Sequence, residues 1–176
     1  MPHFRIEQIA LSIPDAAAAQ AFLKKVGLIE WFTDHVVAEG LVFPDSDYKG
    51  AAENCVNEAD LRFNYQAGNG SDGEAGKPLE LEILDYKQGA NWIEENICNG
   101  DAHECQVSHL GMHVTAEELA EWRKFFEDEG IQVAQEVNTL SHTNIVIKDS
   151  RRYNYVIFDT RDIIGVDMKF IVRKDI

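Results

Sequence analysis

Two imidazoles, His109 and His113, flank Gly111 at a spacing of two within Val107-Ser-His-Leu-Gly-Met-His-Val114. The segment alternates, which predicts a β-strand. Side chains along a strand point to opposite faces in turn. Leu110, Met112 and Val114 therefore form an oily face suited to packing on a helix. His109, Gly111 and His113 share the other face, and the glycine leaves room for a close approach. A second chemical pair stands in Leu79-Glu-Leu-Glu-Ile-Leu84, where Glu80 and Glu82 share the face opposite Leu79, Leu81 and Ile83. Imidazoles and carboxylates brought together can move protons or hold a metal. Each group also has a plainer reading: alternating Leu-Glu is what a half-exposed strand shows, and a histidine can simply be hydrogen-bonded under a sheet.

The elements that must position these groups follow in chain order. Phe4 to Ile13 alternates as a strand, with Gln8, Ala10 and Ser12 on one face. Asp15 is placed to cap a helix through the alanine-rich run to Gly27. Strands are predicted within Leu28–Phe43, Cys55–Gln66 and Leu79–Leu84, with turn-rich loops at Pro44–Gly50 and Gly68–Gly76. Asp85 to Glu104 reads as a polar connector with a short helix near Asn91–Ile97. After the Val107–Val114 strand, Thr115 and Glu118 form a capping box, and Leu119, Trp122, Phe125 and Phe126 recur at helical spacing. Further strands are expected at Ile131–Val137, His142–Lys148, Tyr153–Phe158 and Ile163–Val172. Strand, helix and at least three strands thus occur twice. Superposing the halves sets Gln8 on His109, an offset of 101 positions, and Leu79-Glu80-Leu81 on Val166-Asp167-Met168. The expectation is an α+β fold of two βαβββ modules, about residues 1–100 and 101–176, forming one cupped mixed sheet in a single domain.

Composition narrows the partners. The chain has 176 residues, 45% of them hydrophobic, and a formal net charge of -15. It lacks the basic footprint that phosphate backbones require, so nucleic acid is excluded as a partner for the surface as a whole. No apolar run approaches the ~20 residues of a membrane span, and the N-terminus lacks a signal-peptide pattern. Three irregularly spaced cysteines, Cys55, Cys98 and Cys105, fit reduced thiols in a cytoplasm. Cys98, His103, Cys105 and His109 do not have the spacing of a zinc knuckle.

The doubled order resembles the vicinal oxygen chelate superfamily, which includes glyoxalase I, extradiol dioxygenases, epimerases and the fosfomycin and bleomycin resistance proteins. Two local matches carry the resemblance: Ile6-Glu-Gln-Ile-Ala-Leu-Ser-Ile-Pro-Asp15 and Ser108-His-Leu-Gly-Met-His-Val114. It implies one metal ligand from the first and last strand of each module: Gln8, Glu80, His109 and Asp167, with Glu82 as the alternative to Glu80. Glutamine at the first position points towards glyoxalase I of the zinc type. Such a donor set suits zinc, nickel, manganese or iron. The ion would hold two neighbouring substrate oxygens and stabilise an enediolate, while Glu80, Glu82 or Asp167 moves the proton. His113, His142, Asn144 and Tyr155 are candidates to contact substrate. The Arg151-Arg152 pair, Arg152 in particular, is a candidate to receive an anionic group. Asp167 beside Lys169 also fits a plain salt-bridged edge. The reading is a metal-dependent, glyoxalase-like lyase or isomerase of a small molecule with vicinal oxygens, with a homodimer implied by the resemblance. The alternatives are a metal-free binding protein on the same fold, or an extradiol-type dioxygenase if His113 or His142 replaces Gln8.

Overall fold

Asp15 ends the first strand and starts the first helix, its carboxylate accepting from the Ala18 N–H at 2.8 Å. The computed structural model describes residues 3–42, 53–66, 79–89 and 107–176. The Pro44–Gly50 and Gly68–Gly76 loops, the Asn91–Ile97 helix, Cys98, His103 and Cys105 lie outside them. In order the elements are β1 (Gln8–Ser12), α1 (Ala16–Lys25), β2 (Phe32–Val42), β3 (Glu53–Asn64), β4 (Glu80–Gln88), β5 (Val107–Val114), α2 (Ala116–Asp128), β6 (Val133–His142), β7 (Arg151–Phe158), α3 (Arg161–Ile164) and β8 (Asp167–Asp175). Gly27, at φ 103°, takes the left-handed conformation that follows α1. Among the described residues, no helix is long and apolar enough to cross a membrane.

The doubled βαβββ order is present, and the halves join at two edges rather than one. The strands run β1-β4-β3-β2-β6-β7-β8-β5 and close through an antiparallel β1–β5 pair. The second seam, β2–β6, is also antiparallel. Parallel pairing sets Gln8 beside Glu80 on β1–β4 and His109 beside Asp167 on β5–β8, the correspondence that the internal repeat predicts.

Closure produces two apolar regions. One fills the barrel, with Ala10, Val36, Ala38, Leu61, Leu84, Val137 and Ile157 packed together. The other lies outside the second module, where Met112, Val114, Phe158 and Phe170 meet Leu119, Trp122 and Phe126 of α2. Phe126 stacks on Phe158 with ring centroids 4.2 Å apart. The predicted capping box starts α2, with both reciprocal Thr115–Glu118 bonds formed.

Two strand expectations are corrected. His142–Lys148 is not a strand: β6 runs continuously to His142, and the chain then turns. The cause is Asp34, on the neighbouring β2, whose Oδ1 accepts the Thr143 and Asn144 N–H groups at 2.9 and 2.8 Å. The Asn144 donor is thereby taken from any ladder, while the Thr143 N–H is shared with the His35 carbonyl of β2 at 3.2 Å. Ile163–Val172 splits into the turn of α3 and strand β8, with Gly165 between them at φ 80°.

Candidate active site

A cavity of about 610 Å³ opens at the end of the barrel where β1, β4 and β7 begin and β5 and β8 finish. Because inward positions recur every second residue, each strand delivers a polar pair or an aromatic to its floor and wall. Gln8, Glu80, Glu82, Lys169 and Tyr155 line it, and His113, Asn144 and Arg151 stand nearer its rim.

Gln8 links the two modules. It is only 2% exposed. Its Nε2 donates to Glu80 Oε1, and its Oε1 lies 2.9 Å from His109 Nε2. A carbonyl oxygen only accepts, so His109 carries its proton on Nε2. Nδ1 lies 3.0 Å from the Ser108 hydroxyl, which is also 3.3 Å from the Ala10 carbonyl. Burial first, and then the Lys169 charge, push the His109 pKa down to about 4, although Glu82 opposes them. The imidazole is therefore neutral near pH 7. Gly111 leaves room for Gln8: a Cβ there would lie 2.8 Å from Gln8 Oε1. Gly111→Ala is expected to lower stability by about 2 kcal/mol through overpacking, read as a shift in the urea midpoint.

The two glutamates lie on one strand and titrate apart. Burial raises the Glu80 pKa, and the Glu82 charge raises it further, against hydrogen bonds from Tyr65 and Gln8. Burial also acts to raise Glu82, but Lys169 and the His109 N–H outweigh it and hold that carboxyl low. Glu82 Oε2 lies 3.3 Å from His109 Nε2 and 3.5 Å from Lys169 Nζ. Its Oε1 is buried and has no hydrogen-bond partner among the described residues. The Lys169 ammonium also sits 4.5 Å from the centre of the Tyr155 ring. Burial, followed by the charge of Glu82, raises the Tyr155 hydroxyl well above its ordinary value, so it stays a neutral phenol.

The pH dependence follows from these shifts. Below pH 6.5 the unfolded chain protonates His109 while the fold resists until about pH 4. Stability therefore falls as pH drops through that window, by about 3 kcal/mol from this group alone. Glu82, lowered in the fold, adds a loss at the acid end, while the raised Glu80 acts in the opposite sense. Thermal unfolding midpoints of wild type and His109→Gln between pH 4 and 6.5 check this. The variant is expected to show the shallower slope, and equal slopes would refute the assignment.

The remaining sequence candidates fall in different places. Asp167 is fully buried and stands away from the cavity, with Arg161 Nη2 3.5 Å from its Oδ2. His113 reaches the rim, where Glu7 Oε2 lies 3.2 Å from its Nδ1. His142 sits behind the wall, 2.6 Å from Asp34 Oδ2 through Nδ1 and 2.9 Å from Thr139 Oγ1 through Nε2. The three imidazoles thus bond to different partners and do not share one centre. Arg152 turns back onto the Lys148 and Arg151 carbonyls at 2.7 and 2.8 Å. Arg151 lines the cavity instead, and its buried Nε has no hydrogen-bond partner among the described residues.

Solved structures that match nearly the whole chain include two of methylmalonyl-CoA epimerases. One is a variant of the Streptomyces coelicolor methylmalonyl-CoA epimerase in complex with 2-nitronate-propionyl-CoA, with a TM-score of 0.51 at 14% identity over 97% of this chain and 98% of that one. The other is a methylmalonyl-CoA epimerase in complex with methylmalonyl-CoA and NH4+, with a TM-score of 0.50 at 15% identity over 96% and 93%. The fold is that of the vicinal oxygen chelate superfamily. No family model and no curated protein sequence matches the chain.

On this vicinal oxygen chelate fold, the divalent ion implied by the resemblance can be tested against the donors present. Among the described residues, no three His, Cys, Asp or Glu side chains group to hold a metal ion. Asp167 engages Arg161, and the side chain that β8 brings to Glu82 is Lys169. An ammonium beside these carboxylates repels a divalent ion and already engages one of their oxygens. The set Gln8, Glu80, His109 and Asp167 therefore does not fit such an ion in this arrangement. Sequence reasoning placed Lys169 only as a salt-bridge partner of Asp167 and missed Asp34 as a site element. The available signal was alternation: Asp167, Lys169 and Ile171 share one face of β8, between the oily Met168 and Phe170.

Proposed function

We propose that this chain is an isomerase-type enzyme that shifts a proton between neighbouring carbons of a small molecule bearing adjacent oxygens. The observation that carries this reading is the pair Glu80 and Glu82, side by side on the cavity floor with proton affinities moved in opposite directions. Such a split separates a proton carrier from a fixed charge. Glu80 is the carrier: its raised affinity makes its carboxylate a stronger base than an exposed one. It takes a proton from a carbon beside a carbonyl; the C–H pair becomes a carbon–carbon double bond and the carbonyl π pair passes to oxygen. The same carboxyl then returns the proton to that carbon or, where that carbon bears a hydroxyl, to the former carbonyl carbon while the hydroxyl proton passes to the first oxygen and the second becomes the new carbonyl. Nothing is oxidised or reduced. Glu82 stays ionised and fixes Lys169, while Gln8 orients Glu80.

A cavity of about 610 Å³ suits a small organic ligand. The CoA esters bound by the two structural neighbours make thioesters with an acidic C–H one compound class for the panel, alongside 2-hydroxy ketones, 2-oxo acids and thiol adducts of ketoaldehydes. The reading keeps from the sequence and its resemblance a cytoplasmic setting and a homodimer. The test is proton exchange in D2O, followed by NMR across that panel. Exchange at one carbon that depends on Glu80 supports the reading, and exchange equally fast with Glu80→Gln overturns it. Ligand capture without chemistry, the second reading, is favoured by Gln8 occupying Glu80 Oε1; it predicts binding with no exchange in any class.

A further inference from the structure

We propose that Lys169 is the catalytic electrophile of this site, its ammonium holding the substrate oxygen on which negative charge collects, in place of a metal ion. This deepens the proton-transfer reading and rests on it. Lys169 points inward from β8 into the cavity and is only 5% exposed. An ammonium has three N–H donors. Among the described residues its one oxygen contact is Glu82 Oε2 at 3.5 Å, and the Tyr155 ring holds it from one side at 4.5 Å. Among those residues two of its donors have no acceptor oxygen. Next to them, Glu82 Oε1 is buried and has no hydrogen-bond partner among the described residues. Buried polar atoms are rarely left unmatched, and unmatched ones in a cavity mark where a ligand oxygen or water belongs.

The placement suits the chemistry. When Glu80 removes the proton, the C–H pair becomes the carbon–carbon double bond of an enolate, and the former carbonyl oxygen carries the charge. A charge-assisted hydrogen bond from Lys169 strengthens as that charge grows, which lowers the barrier rather than only tightening binding. Lys169 keeps its proton throughout. Glu82 and the Tyr155 ring pin the ammonium beforehand, so little reorganisation accompanies the step.

The probe is oxalate, a planar dianion with two adjacent oxygens, titrated calorimetrically into EDTA-treated protein. Wild type is expected to bind it, Glu80→Gln to bind it at least as well, and Lys169→Met to bind it about 30-fold more weakly, the worth of one hydrogen bond to a charged group. Lys169→Arg is expected to recover part of the loss. Equal affinity in Lys169→Met, or no binding by wild type, overturns the assignment. So does stoichiometric uptake of zinc, nickel or manganese that tightens oxalate binding. If Lys169→Met does not fold, 15N-lysine NMR of wild type decides: an ammonium signal shifted by oxalate supports the proposal, and no shifted signal overturns it. Lys169-dependent oxalate binding without proton exchange in any class would overturn the proton-transfer reading and leave Lys169 an anion-binding group rather than an electrophile.

Discussion

Glu80→Gln is expected to slow carbon-bound proton exchange about 10³-fold, the middle of the range for loss of a positioned general base. The substitution keeps the shape and leaves an amide that can neither take nor return a proton. Glu80 faces Gln8 and Tyr65, and an amide can satisfy both, so the fold and the substrate KM should change little. The effect belongs in kcat. In wild type the rate should rise with pH as Glu80 ionises, with an inflection above the ordinary carboxylate range because burial and Glu82 raise it. Glu82→Gln distinguishes the two carboxylates. It releases Lys169 but leaves the base, so exchange should fall less and its inflection should move down once the neighbouring charge is gone. A Glu80→Gln enzyme within a few-fold of wild type would show that another group moves the proton.

Asp34→Ala is expected to be the most damaging single change to stability, about 3 kcal/mol, through loss of the hydrogen bonds that its buried side chain accepts. Asp34 accepts from the His142 ring at 2.6 Å and from the Thr143 and Asn144 N–H groups at 2.9 and 2.8 Å. Alanine would strand the His142 ring and the Asn144 N–H in or near the barrel wall, while the Thr143 N–H keeps the His35 carbonyl at 3.2 Å. Asp34→Asn should cost less, since its side-chain oxygen can still accept the two backbone donors. Urea unfolding measures both, and a loss below about 1 kcal/mol for alanine would refute the reading of this cluster as the clasp of the β2–β6 seam. Asn144, Val146 and Ile147 line the cavity, so loosening this turn should also weaken ligand binding.

How much of this was legible depends on the range of the interaction. The faces of β5 could be read directly: Met112 and Val114 pack under α2 while His109 and Gly111 turn inward. The Thr115–Glu118 box, the Asp15 cap and the doubled order were equally plain, because each rests on neighbours in the chain or on a period of two. The partners of the inward side chains were not plain. Asp34 meets His142 across 108 positions, and that contact ends a strand that local alternation would continue. Between Arg151 and Arg152, neighbours with the same charge, strand direction alone decided which one lines the cavity.

The amino-acid sequence by itself determined the doubled order of elements and the faces of β1, β4 and β5, because side-chain alternation and capping are local physics. Only the tertiary structure decided which inward-facing residues meet. Closure of the sheet at both seams set Gln8 against His109 and Lys169 against Glu82, and left Asp167 with Arg161. A strand specifies a face every two residues, but the depth at which two faces cross inside a barrel depends on every strand between them.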